Sequence, residues 1–186
     1  MDLRTAQGAN VLDVAELILE NTGESDTFRL QKLVYYAQAC HLAQYKEPLF
    51  IEPIKAWVNG PMVPSLYHAH KGRRTVTSVG GHSDRLSANQ AAAVDEALRF
   101  YGAHNAQWLI AQTHAEPPWQ VARSGLERGA KVSPVIDIAV MREYYTRVLN
   151  DPKIDEMLAG PAKAEGLTSD ELRNRFPRSP SHPGPL

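Results

Sequence analysis

Apolar positions recur at intervals of three and four residues along most of the chain, the spacing of helices with one buried face. Val11, Val14, Ala15, Ile18 and Leu19 make the first such stripe, with Asn10 placed to cap it and Gly23 to stop it. Leu30, Leu33, Val34, Ala37 and His41 make the second, opened by Thr27 and closed near Tyr45, because Pro48 cannot continue a helix. Ser87-Ala88-Asn89-Gln90 is a capping-box pattern ahead of Ala91, Val94, Leu98 and Tyr101, and Gly102 follows. Asn105 can start the next helix, through Trp108, Leu109 and Gln112. Ser133-Pro134, a cap followed by proline at the first helical position, predicts a last long helix lined by Val135, Ile138, Met141, Tyr145, Val148 and Leu149.

Between residues 49 and 58 the period changes to two. Phe50, Ile54, Ala56 and Val58 alternate with Ile51, Lys55 and Trp57, which predicts a short strand, and Pro53 would confine that strand to an edge. Asn59-Gly60-Pro61 breaks it, and Pro64 then suits the first turn of a short helix carrying Leu66, Tyr67 and His70. Residues 73–86 read as a loop or small hairpin, with Thr75-Val76-Thr77 extended and Gly80-Gly81 as its turn. Pro117-Pro118 interrupts the helical pattern, leaving Trp119 on a single turn. The expected fold is mainly α: a compact multi-helix domain with a small β element over residues 5–150. Residues 151–186 form a C-terminal tail with two weakly amphipathic segments, the second capped by Thr168 to Glu171. From Pro177 onward the tail lacks core-forming residues, so partial disorder is expected.

Composition narrows the function classes. Hydrophobic residues make up 43% of the 186 and charged residues 22%, with a formal net charge of −1, so no global field favours nucleic acid or an anionic membrane. No apolar run approaches the length that spans a bilayer, and the first residues lack the basic-then-apolar order of a secretory signal. Cys40 is the single cysteine, which excludes an intramolecular disulfide and fits a reducing cytoplasm.

Motifs of catalysis are absent from the sequence: no phosphate-cradling glycine loop, no paired-histidine zinc helix and no nucleophile elbow. No cofactor or metal is expected. His68 and His70, two apart, point to different sides of a helix and do not make a metal pair. Thr113-His114-Ala115-Glu116 admits two readings: a general acid–base pair, or a helix end tied off through backbone hydrogen bonds. Lys71, Arg73 and Arg74 form the compact basic cluster, suited to phosphate, to an acidic partner surface or simply to a solvated loop tip. Tyr35 and Tyr36 occupy adjacent helix faces about 100° apart, so one ring is expected in the core and the other, Tyr36, partly exposed. Trp57, Trp108 and Trp119 read first as core or inter-element packing, although tryptophan is also the leading hot-spot residue at interfaces.

Three stretches, in this order, resemble the Panacea domain of SocA-like antitoxins: Leu30-Gln-Lys-Leu-Val-Tyr-Tyr-Ala-Gln-Ala, Ile54-Lys-Ala-Trp-Val-Asn-Gly-Pro-Met-Val-Pro-Ser-Leu-Tyr, and Thr113-His-Ala-Glu-Pro-Pro-Trp119. The resemblance spans roughly residues 10–148. It implies a mainly helical domain with a small β element at Ala56-Trp57 and Gly60-Pro61, and an antitoxin role in bacterial or phage toxin–antitoxin pairs. The implied partner is a cognate toxin, bound directly or, as an alternative, delivered to an ATP-dependent protease unfoldase. No membrane or nucleic-acid partner is implied, and self-association is left open. The motif falls on Leu30, Lys32, Leu33, Tyr35, Trp57, Gly60, Pro61, Thr113, His114 and Trp119, which read physically as fold determinants. Cys40 stands where the family pattern leads one to expect a larger residue, often tryptophan. Tyr36, Tyr67, Lys71, Arg73 and Arg74 are the residues expected to touch a partner.

Overall fold

The computed structural model describes residues 9–159. Helices α1 (Val11–Thr22) and α2 (Thr27–Tyr45) are followed by a hairpin of β2 (Lys55–Trp57) and β3 (Gly60–Met62) and by α3 (Pro64–His70). Then come α4 (Ala88–Tyr101), α5 (Ala106–His114), α6 (Pro117–Arg123), α7 (Ile138–Val148) and α8 (Ile154–Ala159). Two two-residue strands, β1 (Ser25–Asp26) and β4 (Thr75–Val76), pair antiparallel. The fold is thus mainly helical with a small β element. No described helix is long and apolar enough to cross a membrane.

Helix α2 is the axis of the molecule, and α1, α4, α5, α7 and β3 all pack against it. Every residue from Leu30 to Ala43 is buried, so the one-sided stripe read from the sequence becomes a helix covered all round. Burial on that scale brings polar side chains inside, and each must find a hydrogen bond. Gln38 accepts from the amides of Leu49 (2.6 Å) and Phe50 (3.2 Å) and donates to the Phe50 carbonyl (3.1 Å), pinning the chain between α2 and β2. Gln31, two helical turns earlier, accepts from the Val63 amide at 2.9 Å and ties down the exit of β3. That orientation turns its amide NH2 towards His70 Nε2, 3.0 Å away, so the imidazole proton sits on Nδ1.

Several local expectations hold for the stated reasons. Asn10 accepts from the Leu12 and Asp13 amides, while Asp13 returns a bond to the Asn10 amide. Ser87 and Gln90 form the reciprocal pair at α4, and Asn105 accepts from the Trp108 amide at α5.

Others are corrected. The cap of α2 is Asp26, whose carboxylate accepts from Phe28 and Arg29, and not Thr27. Thr75-Val76 does not fold back on itself around Gly80-Gly81; it pairs with Ser25-Asp26, and Glu16 on α1 holds the following loop through the Val79 and Gly81 amides. Pro53 does not put β2 at an edge. It precedes the strand, which is flanked by β3 on one side and residues 134–136 on the other, through Ala56 N to Pro134 O and Ile136 N to Ile54 O, both 2.8 Å. That pairing also overturns the Ser133-Pro134 cap: these residues stay extended, and α7 starts at Ile138 with Asp137 accepting from the Ala139 amide. The readings of the first eight residues, of the Thr168–Glu171 cap and of the proline-rich end lie outside the described residues.

Candidate functional site

The β2–β3 hairpin lies across the N-terminal half of α2 with its two-residue turn, Val58-Asn59, towards α5 and α6. What it covers is a lysine. Lys32 is wholly buried, and its ammonium donates to the Pro61 carbonyl at 3.0 Å and lies 3.9 Å from Met62 Sδ. Among the described residues the ion pairs are Arg99–Asp155 and Arg147–Glu143, both exposed, so no carboxylate neutralises it. Burial lowers the ammonium to about 7 from an ordinary 10.5, partly offset by Asp26 at the start of the same helix.

Gly60 makes this cover possible. Its φ of 95° is a conformation that side-chain-bearing residues avoid, and a Cβ there would meet both Lys32 and the Thr113 hydroxyl. Thr113, at the end of α5, donates to the Ile110 carbonyl. His114 stacks on the Trp119 ring, with centroids 4.1 Å apart, and its Nε2 is a buried atom without a hydrogen bond. Burial, with the charges of Lys32 and Arg123 nearby, lowers this imidazole to about 4 from 6.5. Trp119 Nε1 donates to the Trp57 carbonyl at 3.0 Å, fastening α6 to β2. The seven motif residues Lys32, Trp57, Gly60, Pro61, Thr113, His114 and Trp119 therefore converge on one hairpin, although up to 87 positions separate them in the chain.

A second polar centre sits deeper. Glu116, the N-cap residue of α6, is buried; its carboxylate accepts from the Tyr36 hydroxyl (3.1 Å), the Tyr145 hydroxyl (2.5 Å) and the Gln112 amide (3.0 Å). Tyr145 spends its one proton on Glu116, so Tyr35, 3.1 Å away, donates to Tyr145. Burial and then the Glu116 charge push all of these phenols well above their usual range, keeping them neutral donors. Tyr36 is fully buried and stacked 3.6 Å on Tyr101, which corrects its place as an exposed partner-contacting ring: the phenol that α2 sends towards α4 is needed inside. Leu30, Leu33 and Tyr35 are core residues too. His114 and Glu116 face different surroundings, an indole and a tyrosine cluster, rather than one reaction centre.

Outside the hairpin the surface is apolar. Phe28 is 39% exposed, Val58 42% and Val132 49%, and these three border one groove of about 410 Å³. Trp57 and Tyr67 form an aromatic wall, their rings edge-to-face at 5.1 Å, and Met62 lies between that wall and the buried lysine. Lys131 brings a positive charge to the rim beside Ser133. Arg123 donates to the Ala56, Ala130 and Val132 carbonyls and so holds that rim against β2. Lys71, Arg73 and Arg74 are exposed on the loop after α3, and the Arg74 carbonyl accepts from the Thr27 amide, one residue from Phe28.

Of this site, Glu116 as a hub, Arg123 as a clamp and Phe28 and Val132 as groove walls went unmarked in the sequence. Gln31 and Gln38 carried a signal, as amides in the middle of an apolar helix. Arg123 carried none, because its partners are backbone carbonyls that come together only in the fold.

Residues 30–120, from α2 into α6, match the family model described as antitoxin SocA-like, Panacea domain. No curated protein and no solved structure matches the chain.

Proposed function

The chain belongs, through residues 30–120, to the family of the SocA-like Panacea domain, and from that premise we propose that it is an antitoxin that neutralises a cognate toxin by direct protein–protein binding. The observation that carries the reading is the groove. Phe28, Val58 and Val132 leave apolar surface in water around a preformed concavity, beside a hairpin fixed by Trp119, Arg123 and Gln31. An apolar patch rimmed by polar groups on a rigid base is the form of a protein-docking surface, and pre-organisation lowers the entropic cost of binding. Tyr67 takes part as a groove wall, with Lys71, Arg73 and Arg74 as nearby charges that raise the encounter rate with an acidic surface.

No catalytic step is assigned to the chain. His114 and Thr113 act as tie points of the α5 end, and Glu116 as the acceptor of the Tyr36 and Tyr145 hydroxyls and the Gln112 amide. The test is co-expression with the product of the adjacent gene. A toxic neighbour whose growth defect is relieved, and which co-purifies stoichiometrically, supports the reading. A neighbour that neither binds nor loses toxicity sinks it. Relief with disappearance of the neighbour, abolished in a host lacking an ATP-dependent protease, would replace sequestration by delivery.

A further inference from the structure

The groove has a charge as well as a shape. Its aromatic wall and Val58, Met62 and Val132 accept an apolar side chain, while Lys131 is the charged residue along its lining. Directly beneath Met62 stands the Lys32 ammonium, which carries three donors, of which one meets a carbonyl and one a weakly accepting sulfur. It also lies 6.0 Å from the centroid of the Phe28 ring, another groove wall. Asp26, the carboxylate whose field acts on Lys32, is already engaged by the Phe28 and Arg29 amides. Across the hairpin the His114 imidazole, lowered by burial and by the Lys32 and Arg123 charges, is neutral.

Resting on the antitoxin reading, we propose that the groove recognises an acidic–apolar segment of the partner protein. A large apolar side chain seats between Phe28, Trp57 and Tyr67, and a neighbouring Asp or Glu carboxylate pairs with Lys131 and, with the Met62 side chain turned aside, with Lys32. Three considerations converge. The groove lining holds no acidic side chain, so a carboxylate meets only attraction there and a basic segment meets repulsion. A buried cation without a counter-ion is costly, and an incoming carboxylate offsets that cost at the moment of binding. Methionine, unbranched and soft, is the core side chain most readily moved to admit it.

The experiment uses the purified full chain and phage-displayed random dodecapeptides, followed by fluorescence anisotropy on a labelled synthetic copy of the most enriched peptide. The expected result is enrichment of Asp or Glu next to Leu, Ile, Phe or Trp. Lys131→Glu and Lys32→Met should each weaken the peptide about tenfold or more, as should changing its acid to the amide, with Lys153→Glu as the unaffected control. Lys131 is exposed, so its variant tests the proposal even if Lys32→Met perturbs the fold. Enrichment of basic or uncharged peptides, absence of enrichment, or affinity within about twofold of the parent for both variants overturns it. The same two variants in the co-expression assay separate this inference from the broader reading. Full neutralisation by both leaves the antitoxin standing and removes the groove, whereas a wild-type chain that never neutralises removes the antitoxin and leaves the peptide result to judge the groove.

Discussion

A side chain at Gly60 would force the buried end of Lys32 to move: a Cβ at Gly60 would stand 2.6 Å from Lys32 Cε and 3.0 Å from Thr113 Oγ1. The hairpin lies flat on the lysine only because position 60 has no side chain and accepts a φ of 95°. Gly60→Ala should therefore lower the unfolding free energy by about 2–4 kcal/mol, read as a shift in urea midpoint at constant slope. Adding Lys32→Ala should recover part of that loss by vacating the contested space. Additive losses would show that backbone strain alone sets the cost.

Lys32→Met should keep the fold and raise stability at neutral pH, because it replaces an uncompensated buried cation with an apolar side chain of similar length. The sign of the pH dependence follows from the depressed ammonium. Between about 7 and 10.5 the unfolded chain binds a proton that the folded protein refuses, so stability rises with pH through that window and levels off below it. Thermal midpoints from pH 7 to 9 should climb for the parent and climb less for Lys32→Met. Parallel curves would mean that the ammonium is solvated in the native state.

Glu116 is the acceptor on which Tyr36, Tyr145 and Gln112 converge, so its loss strands donors in the core. Glu116→Leu should destabilise by about 3–5 kcal/mol, the range for breaking one side of a buried charged network. Glu116→Gln should cost about 1–3 kcal/mol, since an amide oxygen still accepts while its NH2 faces other donors. A difference of either variant from the parent below about 0.5 kcal/mol in urea unfolding would contradict the network.

This hub shows where sequence reading stops. Helix spacing located α1, α2, α4, α5 and most of α7, because a 3.6-residue period needs only local information. The same period assigned Tyr36 to a half-exposed face, since a stripe cannot report that α4 and α7 cover the other sides of α2. Glu116 looked like half of an acid–base pair with His114 because the two are neighbours in the chain. A turn between α5 and α6 sends their side chains to an indole and to a tyrosine cluster. Ser133-Pro134 had the chemistry of a helix start, but a strand 78 residues earlier took its carbonyl first.

His114 should dominate an acid-sensitive signal from Trp119. Its imidazole is held near 4, against an ordinary 6.5, first by burial and then by Lys32 and Arg123. Between those values the unfolded chain takes up a proton that the folded one excludes, so stability falls as pH drops from 6.5 to 4 and is fully present above 6.5. His70 and His104, both lowered chiefly by burial, contribute in the same direction. His114→Gln should reduce the slope in this window without abolishing it. The fluorescence difference between parent and variant should titrate near 4, since the imidazole lies 4.1 Å from the Trp119 ring. A midpoint near 6.5 would place His114 in water and undo its role as a tie between α5 and α6.

Arg123 links the core to the docking groove. Its guanidinium donates to Ala56 O at 2.8 Å, Ala130 O at 2.8 Å and Val132 O at 3.1 Å, and it lies 5.5 Å from the centroid of the Trp119 ring. Three carbonyls from two segments meet one planar fork, which a lysine cannot reproduce with a single point donor. Arg123→Lys should thus cost about 1–3 kcal/mol of global stability. It should also cause a larger local effect, because Lys131, Val132 and Ser133 then lose the anchor that fixes the groove rim. Hydrogen exchange should quicken from about residue 126 to 136 while α2 and α4 keep their protection, and peptide affinity should fall although Lys131 itself is unchanged. Uniformly faster exchange across all helices would instead assign Arg123 to the core alone, and unchanged exchange with full affinity would show that the rim is held by the 134–136 pairing with β2.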